Sequence, residues 1–550
     1  MSESQGLTVP QSAQPIADTP PSAGAPSLLR RLWPWFAAIA SGALLSCAYP
    51  PVDRGGLVWF SLTPLLAAIW VSGSRSPGLL GYVAGVVFFT LTFQWLGVLG
   101  TLFETPLLHG LPLLLALYLA LYPAAWCWFL GKVLVPPGES RRFSDSWRNL
   151  AYGVAAASCW AILEWVRGWL FGGFGWNGLG VALHRDLPTI QIAEITGVAG
   201  LSWLVAFVNV MAVIVVRRII GELGPVFLKR IRWEFSITIT VVVAVFAHGV
   251  RALMAAPRTA SKNVRIAAIQ PNIPQQEKFD KSFEDDVFKQ LERLTVPLAA
   301  FEPDLVLWPE SATPRGIFAD QTNFDFVQRI ASEIRAPLLL GTVTNDADRG
   351  DYNAAMLVSA KESDLVVHDV YAKIRLVPFG EYLPLRPILN PIAGDLVPGD
   401  FDSGSAMTIF EGAGFGKFAA LICFEDTAGD LTRRFVKDGA QALINLTNDG
   451  WFLRSCEPEQ HLANAVFRAV ETRRPLVRCC NTGVTALVQP TGKVELWIQP
   501  HTQGGAVKSV PFLKGPLTFY TRYGEWFIWS CFGPTLAAVV LRIRARQRRA

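Results

Sequence analysis

The chain has 550 residues, which is too long for one ordinary hydrophobic core, and it is 51% hydrophobic but only 17% charged, against about 25% charged residues in soluble domains. The Lys and Arg residues behind its net charge of +5 lie in short clusters between apolar runs, so no nucleic-acid partner is expected. The eight cysteines form neither a disulfide framework nor a zinc pattern, and we expect neither a metal nor a cofactor. This composition indicates a membrane protein.

Apolar runs dominate the first half of the chain. Residues 1–28, which precede them, are rich in Pro, Ser, Ala and Gln and are predicted to be a disordered cytoplasmic tail. Residues 29–257 contain seven runs close to the roughly 20 residues that a membrane-spanning helix needs. These runs lie at about 32–49, 57–73, 78–103, 107–131, 150–170, 198–216 and 235–251. An eighth, at about 525–541, lies in the segment 516–550, which ends in a basic tail. We therefore predict a polytopic helical membrane domain with about eight spans.

The basic residues of the short loops predict the orientation of these spans. On one side lie Arg30, Arg31, Arg75, the groups within 132–148 and 217–232, and the arginines of 542–549. The opposite short loops offer Arg54 and Arg185, with Arg167 at the edge of a run. Because cytoplasmic loops carry the excess of Lys and Arg, both termini are predicted to be cytoplasmic and residues 258–515 to lie outside. In a bacterium, the outside would be the periplasm.

Residues 258–515 have a different pattern, in which short apolar runs alternate with amphipathic helices. The predicted strands are 264–270, 304–307, 338–343, 355–359, 418–424, 442–446, 477–480 and 486–489. The predicted helices are 280–299, 323–335, 428–438 and 459–473. This alternation is typical of a layered α/β domain, and the segment is long enough for a core of its own.

Three apolar segments of this domain end in or carry reactive groups. FAALICFED, at 418–426, delivers Cys423, DLVLWPE ends at Glu310, and VYAKIRLVPFGEYLP carries Lys373. Glu310 could accept the thiol proton, while Lys373 could favour the thiolate and the oxyanion of a tetrahedral intermediate. Each residue alone also fits a structural role, Cys423 as a packed core thiol above all. Together they predict a Glu-Lys-Cys acyl-transfer site.

Short motifs around these residues resemble a known family. WPES at 308–311, YAK with LVPFGEYLP at 371–384 and ICFE at 422–425 are similar to the nitrilase superfamily. Longer motifs resemble its membrane branch, the apolipoprotein N-acyltransferases. They are EWVRGWLFGGFGW at 164–176, IQPNIPQ at 269–275, NLTNDGWF at 445–452, EQHL at 459–462, FRAVETRRP at 467–475 and NTG at 481–483. The resemblance covers most of residues 29–541 and implies an α-β-β-α sandwich.

The resemblance extends the candidate site beyond the three catalytic residues. Glu381 and Glu425 could orient Lys373 or tune its charge, although a structural ion pair is the alternative for each. The amide of Phe424 could be a second oxyanion donor, and family members usually carry tyrosine there. Phe279 replaces a tryptophan that often follows the IQPNIPQ motif. Asn448 and Trp451 could line the pocket, although a plain turn explains them equally well, and we expect His461 to be a structural hydrogen-bonding residue.

In the membrane half, Glu164 and Arg167 are three residues apart and therefore on one helical face. Ionisable groups at the edge of a span are functional candidates, with a structural pair as the alternative. GFGWNG at 173–178 fits the G-x-G-x-x-G pattern but lacks a preceding strand, so we discard it as a dinucleotide site. Trp176 and the neighbouring aromatic residues Trp169, Phe171 and Phe174 favour a loop in the outer membrane interface.

The resemblance implies a two-step acyl transfer at a bacterial inner membrane by a monomeric enzyme. Cys423 would take a fatty acyl chain from a phospholipid and pass it to the α-amine of an apolipoprotein's S-diacylglyceryl N-terminal cysteine. The residues by themselves support only nucleophilic acyl chemistry at a membrane surface. Two alternatives remain open: a membrane-anchored amidase or carbamoylase, and a non-catalytic channel or scaffold.

Overall fold

The computed structural model describes residues 28–71, 76–134, 145–221, 232–255, 261–346, 350–362, 364–394, 399–412 and 414–548. The predicted disordered tail, apart from Leu28, lies outside the described residues. So do six residues of the loop-charge count: Arg75, Arg141, Arg142, Lys229, Arg230 and Arg549.

A helix occupies each of the eight apolar runs. The helices before the α/β domain are α1 Leu28–Ser46, α2 Thr63–Val71, α3 Pro77–Thr92, α4 Leu99–Leu102, α5 Leu111–Leu119, α6 Leu121–Trp128, α7 Ser146–Arg167, α8 Leu187–Ile190, α9 Ala193–Thr196, α10 Val198–Gly221 and α11 Trp233–Ala255. Those inside it are α12 Gln275–Lys278, α13 Glu284–Thr295, α14 Gln321–Ile334, α15 Arg386–Ala393, α16 Gly429–Lys437 and α17 Glu457–Thr472. After it follow α18 Phe519–Tyr523 and α19 Trp526–Gln547.

Fewer than eight of these helical segments meet a length and composition test for crossing a membrane. Four in the described part of the chain do so: Pro106–Val133, Val198–Ile220, Trp233–Ala255 and Trp526–Gln547. The pair Pro77–Thr92 and Gln94–Leu102, bent by 54°, adds a fifth if it is one span. The segment Gly55–Trp70 is apolar but shorter. Two helices are less apolar because they contain charged residues: α1 has two arginines, and α7 has Glu164 and Arg167. The predicted count of eight is therefore not confirmed.

The α/β domain contains two six-stranded sheets. Its strands are β1 Lys262–Gln270, β2 Leu305–Leu307, β3 Leu338–Asp346, β4 Gly350–Lys361, β5 Asp364–Ala372, β6 Phe410–Gly412, β7 Gly416–Ile422, β8 Ala442–Thr447, β9 Leu476–Cys480, β10 Thr485–Val488, β11 Val494–Ile498 and β12 Gly504–Phe512. The sheet orders are β12-β1-β2-β3-β4-β5 and β11-β10-β9-β8-β7-β6. Strands β1, β2 and β3 are parallel, as are β7, β8 and β9, and the outer pairs are antiparallel.

Strand β1 shows how the sheets form layers. Val264 and Ile266 pack in the core shared with the second sheet, whereas Ala267 and Ile269 pack in a separate core with α13 and α14. This division follows from the alternation of side chains along a strand. Helices α16 and α17 pack on the second sheet's side. The layers therefore form the α-β-β-α sandwich that the resemblance implied.

The predicted strands and helices of this domain are all present, although some ends differ. The predicted helix 280–299 is α-helical only over Glu284–Thr295 and continues as 3-10 helix on either side. The run 418–424 leaves the strand at Cys423, whose φ of 52° lies in the left-handed region. Strands β5, β6, β11 and β12 are not predicted by the sequence. They form the four edges of the two sheets, and three of them are largely exposed or half-buried, so that they lack the continuous apolar run of a central strand.

Helix α17 joins the two halves of the protein. Apart from Glu459 and Leu462, all its residues are buried, which is unusual for a helix that covers a sheet. It lies between the second sheet and the loops of the membrane domain. Gln460 accepts hydrogen bonds from Trp95 and Asn177 of those loops, at 3.0 and 2.9 Å. The helix thereby fixes the α/β domain against the membrane domain.

Candidate active site

Cys423 stands at the point where β7 turns into the short 3-10 helix Cys423–Thr427. A left-handed φ is uncommon for a residue with a side chain and is often found at functional turns. Its carbonyl oxygen accepts a 2.8 Å hydrogen bond from the side-chain amide of Asn445 on the neighbouring strand β8. The side chain is half-buried. The backbone that carries the thiol is therefore fixed at the end of β7.

Glu310 follows β2 and is 7% exposed. Its Oε1 accepts a 2.7 Å hydrogen bond from Asn353 and lies 4.0 Å from Nζ of Lys373. Its Oε2 is buried and has no hydrogen-bond partner among the described residues. Burial raises the pKa of Glu310, and the ammonium of Lys373 opposes this rise. A carboxylate with one free oxygen and a raised pKa is suited to accept a proton.

Lys373 follows β5 and is 1% exposed. Its Nζ lies 2.8 Å from both carboxylate oxygens of Glu381. Glu381 is held in turn by the amide of Val377, which donates a 2.8 Å hydrogen bond to Oε2. Burial lowers the pKa of Lys373, but Glu381, Cys423 and Glu310 outweigh burial and raise it overall. The side chain is therefore a permanent, fixed positive charge.

The three sequence-predicted residues lie together in the structure. Nζ of Lys373 is 4.0 Å from Glu310, and Glu425 accepts hydrogen bonds from the amides of Ile374 and Ile422, the residues next to Lys373 and Cys423. Burial and then the Glu310 carboxylate raise the pKa of the Cys423 thiol well above its usual value, and Lys373 lowers it. The net direction is upward, so the resting sulfur is a thiol. Lys373 favours the thiolate, as expected, but burial and the Glu310 carboxylate outweigh its effect on the pKa of Cys423. A nucleophilic thiol loses its proton during attack, and the unpartnered Oε2 makes Glu310 a carboxylate that is able to accept one.

Asn353, on β4, belongs to the site although sequence reasoning missed it. Its Nδ2 donates to Glu310 at 2.7 Å and to Glu381 at 2.8 Å. Asn353 therefore links Glu310 to Glu381, the ion-pair partner of Lys373. It is 4% exposed. The available signal was its position in an apolar strand, where asparagine is depleted unless its side chain has partners.

Glu425 lies in the site but does not orient the Lys373 ammonium by direct contact. Its Oε1 accepts hydrogen bonds from the amides of Ile374 and Arg375 at 2.8 and 3.0 Å, and its Oε2 from the amide of Ile422 at 2.9 Å. Burial raises the pKa of Glu425. Glu425 therefore ties the chain segment after Lys373 to the strand that precedes Cys423.

The aromatic loop of the membrane domain packs on the nucleophile's neighbour. Trp176 is buried, its ring is parallel to that of Phe424 at 6.1 Å between centroids, and its Nε1 donates to Gln460 at 3.2 Å. The ring of Trp176 therefore does not face the membrane interface, and the placement of the loop in that interface stays a prediction. Trp169 and Phe171 of the same loop are exposed. Trp176 is buried because the α/β domain covers its ring.

Glu164 and Arg167 do not form an ion pair within 4.0 Å in the part of the chain described. Oε1 of Glu164 accepts from the amide of Leu179 at 2.7 Å, and Arg167 donates to the carbonyl of Trp176 at 3.1 Å. The alternative of a structural ion pair between Glu164 and Arg167 is therefore wrong, because each side chain binds a main-chain group instead. Both side chains bind main-chain groups of the segment that carries Trp176 and help to hold it in place.

The remaining candidates divide into exposed and buried residues. Phe279 and Trp451 are 49% and 37% exposed, and Trp451 stacks on Phe103 of the membrane domain at 6.2 Å. Asn448 is buried and donates to Gln275 at 2.8 Å. Of these three residues, Phe279 and Trp451 therefore present surface that a substrate could contact, and Asn448 does not.

His461 is a structural residue in a buried ion cluster, as its position on a helix suggested. Its ring nitrogens lie 2.8 Å from Asp426 and 3.2 Å from Asp449, and Arg478 bonds to Asp426 as well. Asp449, Glu457 and His461 are close enough together to hold a cation. However, both ring nitrogens are occupied by carboxylates, and Arg478 already supplies positive charge. The cluster therefore is balanced internally and is unsuited to a metal ion.

Comparison with known proteins identifies the family. Residues 41–211 match the family model described as apolipoprotein N-acyltransferase N-terminal domain, and residues 265–501 match carbon-nitrogen hydrolase. An apolipoprotein N-acyltransferase of Geobacter metallireducens is 34% identical over 522 residues, which cover 93% of this chain and 95% of that protein. The chain belongs to the apolipoprotein N-acyltransferase family. The resemblance inferred from the motifs is thereby confirmed.

Further apolipoprotein N-acyltransferases agree with this match along nearly the whole chain. That of Methylococcus capsulatus is 31% identical and covers 93% of this chain and 96% of its own length. That of Vibrio cholerae is 28% identical, with 92% and 95% covered. Among solved structures, an amidase from Nesterenkonia sp. AN1 matches 49% of this chain and 99% of its own, at 15% identity and a TM-score of 0.35.

Proposed function

We propose that this protein transfers a fatty acyl chain from a phospholipid to the N-terminal amine of an apolipoprotein, through a thioester on Cys423. The observation that carries the proposal is the convergence of a buried carboxylate, a fixed ammonium and a thiol in a chain whose relatives are apolipoprotein N-acyltransferases over more than nine-tenths of its length. Each group has one part in acyl transfer: Glu310 moves protons, Lys373 stabilises negative charge and Cys423 carries the acyl group.

In the first half-reaction, Sγ of Cys423 attacks the ester carbonyl of the phospholipid while its proton passes to Glu310. The oxyanion of the tetrahedral intermediate lies against the Lys373 ammonium and the main-chain amide of Phe424. When the intermediate collapses, the C–O bond breaks and the lysophospholipid oxygen takes the proton from Glu310. The product is a thioester on Cys423, and Glu310 is again a carboxylate.

In the second half-reaction, the α-amine of an S-diacylglyceryl N-terminal cysteine attacks the thioester carbonyl. Glu310 accepts a proton from this nitrogen, because the amine must lose one proton to become an amide. The C–S bond then breaks, and the departing sulfur takes the proton from Glu310. The lipoprotein leaves as an N-acyl amide, and the enzyme returns to its starting state.

The arrangement in the membrane follows from the loop charges and from the contacts of the α/β domain. Pro50 and Trp176 belong to loops that the charge distribution puts outside, and Trp95 lies in the half of the run 78–103 that is nearer the same side. All three contact Gln460 of α17. This agreement supports eight spans, cytoplasmic termini and a periplasmic domain at 258–515 in a bacterial inner membrane. The enzyme acts as a monomer, because one chain supplies all the reacting groups, and no nucleic acid takes part.

The lipid substrates reach the site past exposed aromatic residues. Phe279 directly follows Lys278, which donates a hydrogen bond to Glu310, and Trp451 lies in the 3-10 helix after β8; both expose apolar surface. Such surface suits acyl chains. Glu164, Arg167 and Trp176 serve as positioning residues of the membrane domain, and Asn448 positions the turn at Gln275.

The decisive experiment is intact-mass analysis of the purified protein after incubation with phospholipid and no acceptor. An acyl adduct that maps to Cys423, persists in water and disappears on addition of a diacylglyceryl lipopeptide with transfer of the acyl chain is expected. Cys423→Ser should give no adduct, and Cys456→Ser, which alters another half-buried cysteine, should behave as the wild type. Rapid hydrolysis of the adduct would favour the amidase, and an adduct at another residue would overturn the assignment.

A further inference from the structure

A second buried lysine lies beside the catalytic residues. Lys278 ends α12, is 1% exposed, and donates a 2.8 Å hydrogen bond from Nζ to the main-chain carbonyl of Glu310. Among the described residues, no carboxylate oxygen lies within 4.0 Å of this nitrogen. It differs in this respect from Lys373, which is paired with Glu381.

A buried ammonium without a paired carboxylate is costly, so its retention needs a reason. The negative groups that act on Lys278 are Glu310 and Cys423, both of which belong to the reaction. Burial lowers the pKa of Lys278 to about 8, and these two groups oppose the fall. The side chain therefore carries its charge at neutral pH, and that charge faces the reacting groups.

The short helix that carries Lys278 is fixed by side chains of the second sheet. Asn481 accepts a hydrogen bond from the amide of Ile273 at 3.0 Å and donates one to its carbonyl at 2.9 Å. Gln275, within the helix, accepts from Asn448 at 2.8 Å. These bonds fix the position of the helix, and thereby the contact between Lys278 and Glu310.

We propose that Lys278 is a further positioning residue of the acyl-transfer site: it holds Glu310 by the main-chain carbonyl and adds a second positive charge beside the sulfur of Cys423. The proposal rests on the proposed function, in which Cys423 is the nucleophile and Glu310 the proton acceptor. Lys373 is largely compensated by Glu381 at 2.8 Å. Without Lys278, the ionised Glu310 would therefore leave the site with net negative charge next to the sulfur.

The positive charge of Lys278 favours the ionised form of the Cys423 thiol. The groups that act on Cys423 are Glu310, Asp449 and Glu381, which disfavour the thiolate, and Lys373, which favours it. Lys278 is within electrostatic reach of the sulfur as well. Its removal should lower the thiolate fraction and move Glu310, and both changes slow the attack. The same ammonium lies 5.9 Å from the centre of the Phe279 ring, so the rates are compared at saturating phospholipid.

The test compares Lys278→Met, which removes the charge, with Lys278→Arg, which keeps it. Lys281→Met, at an exposed position in the next turn, is the matched control. Two quantities are measured: the rate at which iodoacetamide alkylates Cys423 at a fixed, mildly alkaline pH, mapped by mass spectrometry, and the rate of thioester formation from phospholipid. We expect both rates, with thioester formation measured at saturating phospholipid, to fall by about tenfold in Lys278→Met. Lys278→Arg should recover most of the alkylation rate, and Lys281→Met should match the wild type.

An unchanged alkylation rate in Lys278→Met would overturn the proposal. If that variant does not fold, Lys278→Gln keeps a donor for the Glu310 carbonyl without the charge, and the same fall in alkylation is required of it. The proposed function is tested separately, because Cys423→Ser retaining acyl transfer would refute the nucleophile. The alkylation rate concerns Lys278 and the sulfur alone, so the two failures are distinguishable.

Discussion

Trp176 of the membrane domain donates a 3.2 Å hydrogen bond from Nε1 to Oε1 of Gln460 on helix α17. The same oxygen accepts from Trp95 and Asn177, and the Nε2 of Gln460 donates to the carbonyls of Pro50 and Thr92. One side chain of the α/β domain therefore satisfies several buried groups of the membrane domain. The next residue, His461, belongs to the ion cluster behind the Cys423 turn.

Gln460→Leu should destabilise the contact between the two halves of the protein. The substitution leaves the donors of Trp95, Trp176 and Asn177 buried without an acceptor, at a cost of about 2 kcal/mol or more. The apparent melting temperature of the detergent-solubilised protein should fall, with a parallel loss of thioester formation. Glu459→Gln, which changes the exposed preceding residue, is the control. Equal melting temperatures for the two variants would contradict this role.

Asn353→Leu should impair the first half-reaction because Glu310 and Glu381 lose their common donor. Without it, Glu310 can turn away from the sulfur, and a displacement of about 1 Å costs about a hundredfold in rate. Pre-steady-state thioester formation is the measurement, with Asn345→Leu on the exposed end of β3 as the control. A wild-type rate in Asn353→Leu would show that the Glu310 carboxylate is positioned without Asn353.

The ion cluster around His461 predicts a pH dependence of stability. Burial lowers the pKa of His461, but Asp426 and Asp449 outweigh burial and raise it to about 10 from the usual 6.5. The folded protein then holds this proton more tightly than the unfolded chain. The stabilisation is therefore complete below pH 6.5 and is lost as the pH rises to about 10.

The measurement is the melting temperature of the wild type and of His461→Asn as a function of pH. The difference between them should be largest below pH 6.5 and shrink toward pH 10. His368→Asn, at an exposed position on β5, should follow the wild type throughout. A difference that does not change with pH would mean that His461 contributes packing but no charge.

The orientation of the chain can be tested with single cysteines introduced at exposed positions. Lys281 lies in the α/β domain and Arg546 at the end of α19, which the loop charges put on opposite sides of the membrane. In intact spheroplasts, Lys281→Cys should react with a membrane-impermeant maleimide, and Arg546→Cys should react only after lysis. Labelling of both before lysis, or the reverse order, would refute the proposed topology.

The sequence predicted the central strands of both sheets and missed their edges. Central strands such as β7 and β8 are buried on both faces and leave a continuous apolar run, whereas an edge strand such as β5 is mostly exposed and leaves none. A similar effect explains why fewer than eight helices pass the membrane-span test. Polar residues such as Glu164 and Arg167, which bind main-chain groups of a loop, lower the mean hydropathy of a helix that still belongs to the bundle.

By itself, the sequence determined the family and nominated Glu310, Lys373 and Cys423, because motifs and apolar runs are local and are written in consecutive residues. Only the tertiary structure decided which groups surround them. Asn353 lies 43 residues from Glu310 in the chain, and Gln460 lies 365 residues from Trp95. A hydrogen bond between such residues depends on where folding places their side chains, and no spacing in the sequence encodes that distance.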